Sequence, residues 1–183
     1  MKNKSKLLLF VILIVIICLL LILSFRHRDN GVDKECIDIK SNSTSLVINK
    51  PIPLDDEVSK QILSNGNNLD DSSIYLDFEI NSKKRCHYKL LIDRIRDANS
   101  LKDEHVKILL LDGEKNKIIK KYDGASYLTL DQLDKYSNSY VVHEGYLSKN
   151  KTKRFKLLMW TSDKYVVSEK KKYFNGKLSV YSY

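Results

Sequence analysis

Two hydrophobic patterns divide the chain. From Leu7 to Leu23 every residue is Leu, Ile, Val, Phe or Cys, and Ser24 and Phe25 extend the run to 19 residues. As a helix it would span roughly 28 Å, close to the ~30 Å thickness of bilayer hydrocarbon. The run predicts a single transmembrane helix over 7–25, between a short basic tail at 1–6 and a polar tether at 26–35. Beyond the tether the period drops to two. Ile74, Leu76, Phe78 and Ile80 alternate with Tyr75, Asp77 and Glu79, and Tyr88, Leu90 and Ile92 repeat the pattern. Such alternation is expected of strands with one face on a core and the other in water. The polar link 81–85 reads as the turn of a hairpin joining the two. Val106, Ile108 and Leu110 lead to Asp112-Gly113, a second hairpin signal, with Ile118 and Ile119 on the return. Further strands are expected at 44–49, 140–147, 155–159 and 178–181, the first stopped by Pro51 and Pro53. Helix is confined to 54–63, where Val58, Ile62 and Leu63 follow Asp55-Asp56-Glu57, and to a turn near 129–133. The stretch SNGNNLDDSS at 64–73 reads as a flexible loop. Seven or eight short strands, about ten residues apart, predict one antiparallel β-sandwich over 36–183, immunoglobulin-like or jelly-roll-like.

The apolar run competes with a second reading, a cleaved secretory signal, because Lys2, Lys4 and Lys6 precede it. Retention is expected on two grounds. The run exceeds the ~7–15 residues of a signal core, and Ser24-Phe25-Arg26-His27-Arg28 offers no small-x-small cleavage site. Cys18 lies mid-run and reads as lipid-facing. Lys2, Lys4 and Lys6 on one flank nearly balance Arg26 and Arg28 on the other, so charge alone hardly orients the helix. The short leading tail favours an inside amino terminus, which places the domain outside the cell membrane.

Charge then needs apportioning. The chain carries +9, but residues 1–28 supply five Lys or Arg and no carboxylate, so the remainder holds 27 against 23. Half of the basic signal belongs to the flanks of the anchor. A second excess lies at 149–177, with ten Lys or Arg against Asp163 and Glu169. In a strand-rich domain lysines of this kind solvate and protect sheet edges, so no nucleic-acid site is assigned to Lys170-Lys171-Lys172. At 43% hydrophobic residues with 11 Tyr, the chain is too apolar for intrinsic disorder.

No reactive constellation stands out. His143-Glu144 lacks a second histidine four residues after the first, so the zinc-protease helix motif is absent. His27 belongs to the membrane flank, and His87 and His105 look like strand starts. No glycine-rich phosphate loop, nucleophile elbow or paired-cysteine metal spacing occurs. The acidic clusters Asp55-Asp56-Glu57 and Asp70-Asp71 lack calcium-loop spacing and read as a helix start and a solvated loop. Trp160 reads as core filler. Cys36 and Cys86 would share the oxidising side of the membrane and form a candidate disulfide, although spacing alone does not say whether they meet.

Three segments carry a resemblance: LVINKPIPLDDEVSK, IYLDFEINSKKRCHYKLLIDRI, and HEGYLSKNKTKRFKLLMW followed by YFNGKLSVYSY. With these, the chain from about residue 46 to its end resembles the camelysin and TasA-like β-sandwich surface proteins of Gram-positive bacteria. The resemblance implies a cell-surface or matrix protein, and for some members a metallopeptidase label. The expected function is therefore a single-pass, membrane-anchored and non-enzymatic surface protein, bounded in the membrane by Leu7 and Phe25. It would use no cofactor or metal, and its partners would be the lipid bilayer and a protein or other component of the envelope, with no nucleic acid. Two alternatives stand beside it: a metal-dependent peptidase using His87, His105 and His143, and a ligand-binding module working with a membrane partner.

Overall fold

The structure is a computed structural model that describes residues 36–122, 127–167 and 171–183. The expected tail, anchor and tether over 1–35, with Cys18 and His27, lie outside the described residues. Among the described residues no helix is long and apolar enough to cross a membrane.

The described chain is mainly β, in two antiparallel sheets facing each other like a sandwich. Sheet A contains β1 (Ile37–Lys40), β3 (Ser73–Ser82), β10 (Thr152–Thr161), β5 (Val106–Asp112), β6 (Lys117–Ile118) and β7 (Leu128–Thr129). Its order is β1-β3-β10-β5-β6, with β7 also on β5. Sheet B runs β2 (Ser45–Ile48), β11 (Phe174–Ser182), β4 (Cys86–Ile95), β9 (Ser139–Leu147) and β8 (Lys135–Tyr136). The count exceeds the expected seven or eight because β1, β6, β7 and β8 are two to four residues long. Segments that short show almost no alternation.

The expected hairpin between 74–80 and 88–92 does not form. β3 pairs with β1 and β10, whereas β4 pairs with β11 and β9, so the link carries the chain from one sheet to the other. Alternation reports which face is buried and says nothing about the neighbouring strand. Three residues, 83–85, reach roughly 10 Å at ~3.3 Å each, which is about the spacing of stacked sheets. The β9–β10 link crosses back beside it, and the two corners are bonded together. Ser82 donates its N–H to the Lys151 carbonyl at 2.9 Å and accepts the Asn150 N–H at 2.9 Å. Its hydroxyl donates to the Ser148 carbonyl at 3.1 Å. At this corner Cys36, just before β1, is joined by a disulfide to Cys86 at the start of β4, tying sheet A to sheet B.

The second hairpin is present, with Leu111 opposite Ile118 and Asp112 opposite Lys117. Asp112 Oδ1 accepts the N–H groups of Glu114 and Lys115 at 3.2 and 3.1 Å. Gly113 is required for a different reason from the usual turn geometry: a Cβ there would lie 2.7 Å from Arg154 Cγ. The left-handed residue of this loop is Asn116, at φ 50°.

Phe78, Leu76 and Ile74 of β3 stand opposite Phe155, Leu157 and Met159 of β10, and this face packs on Tyr88, Leu90 and Ile92 of sheet B. The Phe78 and Phe155 rings lie 5.6 Å apart. Sheet A departs from the expectation of one wet face, because Leu109, Leu158 and Trp160, of opposite parity, are also fully buried. Helix α1 (Val58–Asn65) accounts for this. It buries Val58 and Ile62, one turn apart, while Ser59 is hydrogen-bonded to the Tyr127 hydroxyl at 3.1 Å and Tyr127 meets Trp160 edge-on at 5.2 Å. Strands covered on both faces lose their alternation, as VKILLLD in β5 shows. α1 ends at Gly66, φ 66°, whose N–H bonds to the Ile62 carbonyl. The segment 64–73, expected to be a flexible loop, is instead tied down: the Asp71 carbonyl accepts the N–H groups of Asn49 and Lys50, and Asn68 Oδ1 accepts that of Tyr75.

Candidate functional site

Where β5 begins, a cleft of about 470 Å³ opens between Lys107, the region preceding α1, residues 127–132 and residues 162–164. Lys107 points outward from β5, yet its side chain is only 8% exposed. Its Nζ lies 2.6 Å from Asp56 and 3.0 Å from Asp163. Burial works against the ammonium charge, but the hydrogen bonds to Asp56 and Asp163 outweigh it and hold the lysine above its ordinary pKa. The bond from Lys107 holds the Asp163 carboxyl below the usual range. Ser162 donates its hydroxyl to the same carboxylate at 3.1 Å. Lys107 and Ser162 are thus both committed to carboxylates: a lysine kept charged is no general base, and the serine is directed at an already paired carboxylate.

The three histidines among the described residues occupy three different settings. His105 ends a short 3-10 turn, Asp103–His105, at the cleft, its ring 5.5 Å from that of Tyr165. His87 is exposed on the outer face of sheet B as the second residue of β4. His143 points into the sandwich from β9, edge-on to Tyr88 at 5.9 Å and to Phe155 at 5.5 Å. Beside it, a Cβ at Gly145 would fall 2.5 Å from the Tyr88 hydroxyl, so the glycine makes room for that ring. Among the described residues no three His, Cys, Asp or Glu side chains gather as a metal-holding group.

Burial, followed by the charges of Lys153 and Lys121, depresses the His143 pKa from 6.5 to about 4, with Glu144 partly opposing them. The native state therefore refuses a proton that the unfolded chain accepts between those values. Stability is full above pH 6.5 and falls as the pH drops towards 4. At ~1.4 kcal/mol per unit, discounted for partial exposure, the loss should be about 2 kcal/mol. Urea unfolding at a series of pH values checks this, with His143→Leu expected to flatten that part of the slope. Equal slopes in the two proteins would refute it.

The outer face of sheet B carries a feature that no sequence motif marks. Tyr146, His87 and Tyr183 stand side by side on β9, β4 and the end of the chain beyond β11. Their rings are 5.2 and 5.6 Å apart. Tyr181 joins the cluster at 5.8 Å from Tyr183, and Tyr136 of β8 at 4.9 Å from Tyr181. Lys89 sits among them, 5.5 Å from the Tyr136 ring centre and 5.8 Å from that of Tyr183, and is ion-paired with Glu144. The available signal was parity: 87 and 89, 144 and 146, and 181 and 183 are the outward positions of neighbouring strands, but their adjacency depends on β11 pairing with β4. No protein-family model matches the chain, and no curated protein matches it.

Proposed function

We propose that the chain is a single-pass, membrane-anchored surface protein whose β-sandwich is displayed outside the cell and associates with envelope components without catalysing a reaction. The observation that carries this reading is the disulfide between Cys36 and Cys86. Such bonds persist in oxidising compartments, and this one follows the apolar run by only 11 residues, counted from Phe25. It supports the outward orientation of the domain, which the nearly tied flanking charges leave open. It also ties the residue at which the tether meets the domain to both sheets, so a pull on the anchor reaches the sandwich through a covalent link. The pairing of Lys107 with Asp56 and Asp163 in the cleft supports the non-enzymatic part. The resemblance to camelysin and TasA-like surface proteins belongs to the same proposal. The separate settings of His87, His105 and His143 do not favour the metallopeptidase alternative.

Protease applied to intact cells expressing the full chain tests the reading. The region after Arg28 should be removed while the amino-terminal anchor stays with the membrane. Complete protection of the domain would reverse the topology and end the proposal.

A further inference from the structure

The rings of Tyr136, Tyr181, Tyr183, His87 and Tyr146, drawn from β8, β11, β4 and β9, touch in a series that doubles back on the face of sheet B away from the core, so that they form a cluster. Tyr136, Tyr146 and Tyr183 keep 37, 46 and 57% of their surface in water. Rings at such exposure forgo roughly half of the stabilisation that full burial would bring, so packing of the fold accounts for them only in part. From these observations we infer that this face is a binding platform for a neutral glycan.

Two properties select that ligand. A sugar ring has an apolar C–H face, whose partial positive charge suits the negative face of an aromatic ring, and a rim of hydroxyls that needs polar partners. The cluster supplies both, since Lys89 and Glu144 lie within it as donor and acceptor. Their charges cancel, so the centre of the platform gives no net attraction for an anionic polymer, in contrast to the lysine-rich stretch at 149–177.

A second copy of the chain fits less well. Five rings of ~200 Å² each, about half exposed, offer roughly 500 Å². A stable protein interface takes about 800 Å² from each partner. A glycan needs no such area. The inference names a partner class for the displayed domain and rests on the anchored reading only for where the glycan is met, because binding itself is measured on purified protein.

The test is calorimetric titration of the full chain, in mild detergent, with cellohexaose, chitohexaose and heparin. Saturable binding of at least one of the two neutral hexasaccharides is expected. Tyr181→Ala/Tyr183→Ala should weaken it ~10-fold or more, while the corresponding Phe variants stay within about threefold, because stacking survives without the hydroxyl. Tyr146→Ala, which alters one exposed ring, provides the same readout if the double variant does not fold. No binding of either neutral glycan, binding indifferent to these alanines, or salt-sensitive binding of heparin alone would overturn the inference. Self-association abolished by the alanine variants, without glycan binding, would assign the face to a second copy and overturn it as well. Failure here leaves the protease result on intact cells untouched, and failure of that result leaves glycan binding by the purified chain untouched.

Discussion

Replacing Asp103 with alanine is expected to remove about 3–5 kcal/mol of stability, the range for breaking a buried ion pair from one side. Asp103, 15% exposed, is the meeting point of three elements. It accepts hydrogen bonds from Arg94 Nε at 3.3 Å, from Arg96 and from the Tyr140 hydroxyl. Arg94 is the vulnerable partner, since its side chain is only 1% exposed and stacks on Phe174 at 4.2 Å. Without the carboxylate, its guanidinium would still donate to the carbonyls of Leu101 at 2.8 Å and Asn175 at 2.9 Å. No counter-charge would remain in the cluster, and the desolvation cost of the cation would stand uncompensated. Arg96, half in water, would simply be rehydrated. Burial acts to raise the Asp103 carboxyl, but the bonds from Tyr140, Arg96 and Arg94 prevail and hold it below its ordinary value of 3.8. Its contribution is therefore present above that value and lost in stronger acid, below the window in which His143 acts. Denaturant unfolding at neutral pH, comparing wild type, Asp103→Ala and Asp103→Asn, checks the prediction. The asparagine should lose less, because it keeps an acceptor. A loss below 1 kcal/mol in the alanine variant would show that the carbonyls alone sustain Arg94.

Removing the disulfide should have an effect of similar size. Cys36 and Cys86 are 50 positions apart, and closing a loop of that length restricts the unfolded chain by about 4 kcal/mol in the chain-entropy model. Cys36→Ser/Cys86→Ser and reduction of the native protein should lower stability equally, because both release the same loop. The effect should arise mainly in the unfolded state, since the corner keeps its other bonds: Lys83 donates its N–H to the Cys36 carbonyl at 3.0 Å and Ser82 remains bonded to the 148–151 turn. Matched thermal unfolding of the oxidised protein, the reduced protein and the double serine variant decides the matter. If all three unfold together, the bond contributes nothing to stability. If the serine variant loses much more than the reduced protein, the serines themselves are poorly accommodated.

The sequence and the fold agree best where one strand face alone is buried. Ile74–Ile80, Tyr88–Ile92 and Leu178–Tyr181 belong to real strands because a period of two is a local property of a half-buried chain. Agreement fails where burial comes from a distant element. Leu109, Leu158 and Trp160 point away from the sandwich interior and are dry because residues from α1 and its surroundings lie over them. The tied-down segment 64–73 follows the same logic: its polar residues predict a solvated loop, but the backbone of Asn49, Lys50 and Tyr75 needs partners there.

The chain by itself determined the mainly β character, the positions of the longer strands, the D-G hairpin and the short helix α1 of the described residues, because these follow from side-chain parity and turn chemistry within about ten residues. Only the tertiary structure decided that β3 and β4 part into different sheets, that Cys36 meets Cys86, that Lys107 lies between Asp56 and Asp163, and that five outward rings form one cluster. Each of these depends on which strands become neighbours across long separations. That choice is made by the collective burial of two facing sheets, and no local pattern of residues encodes it.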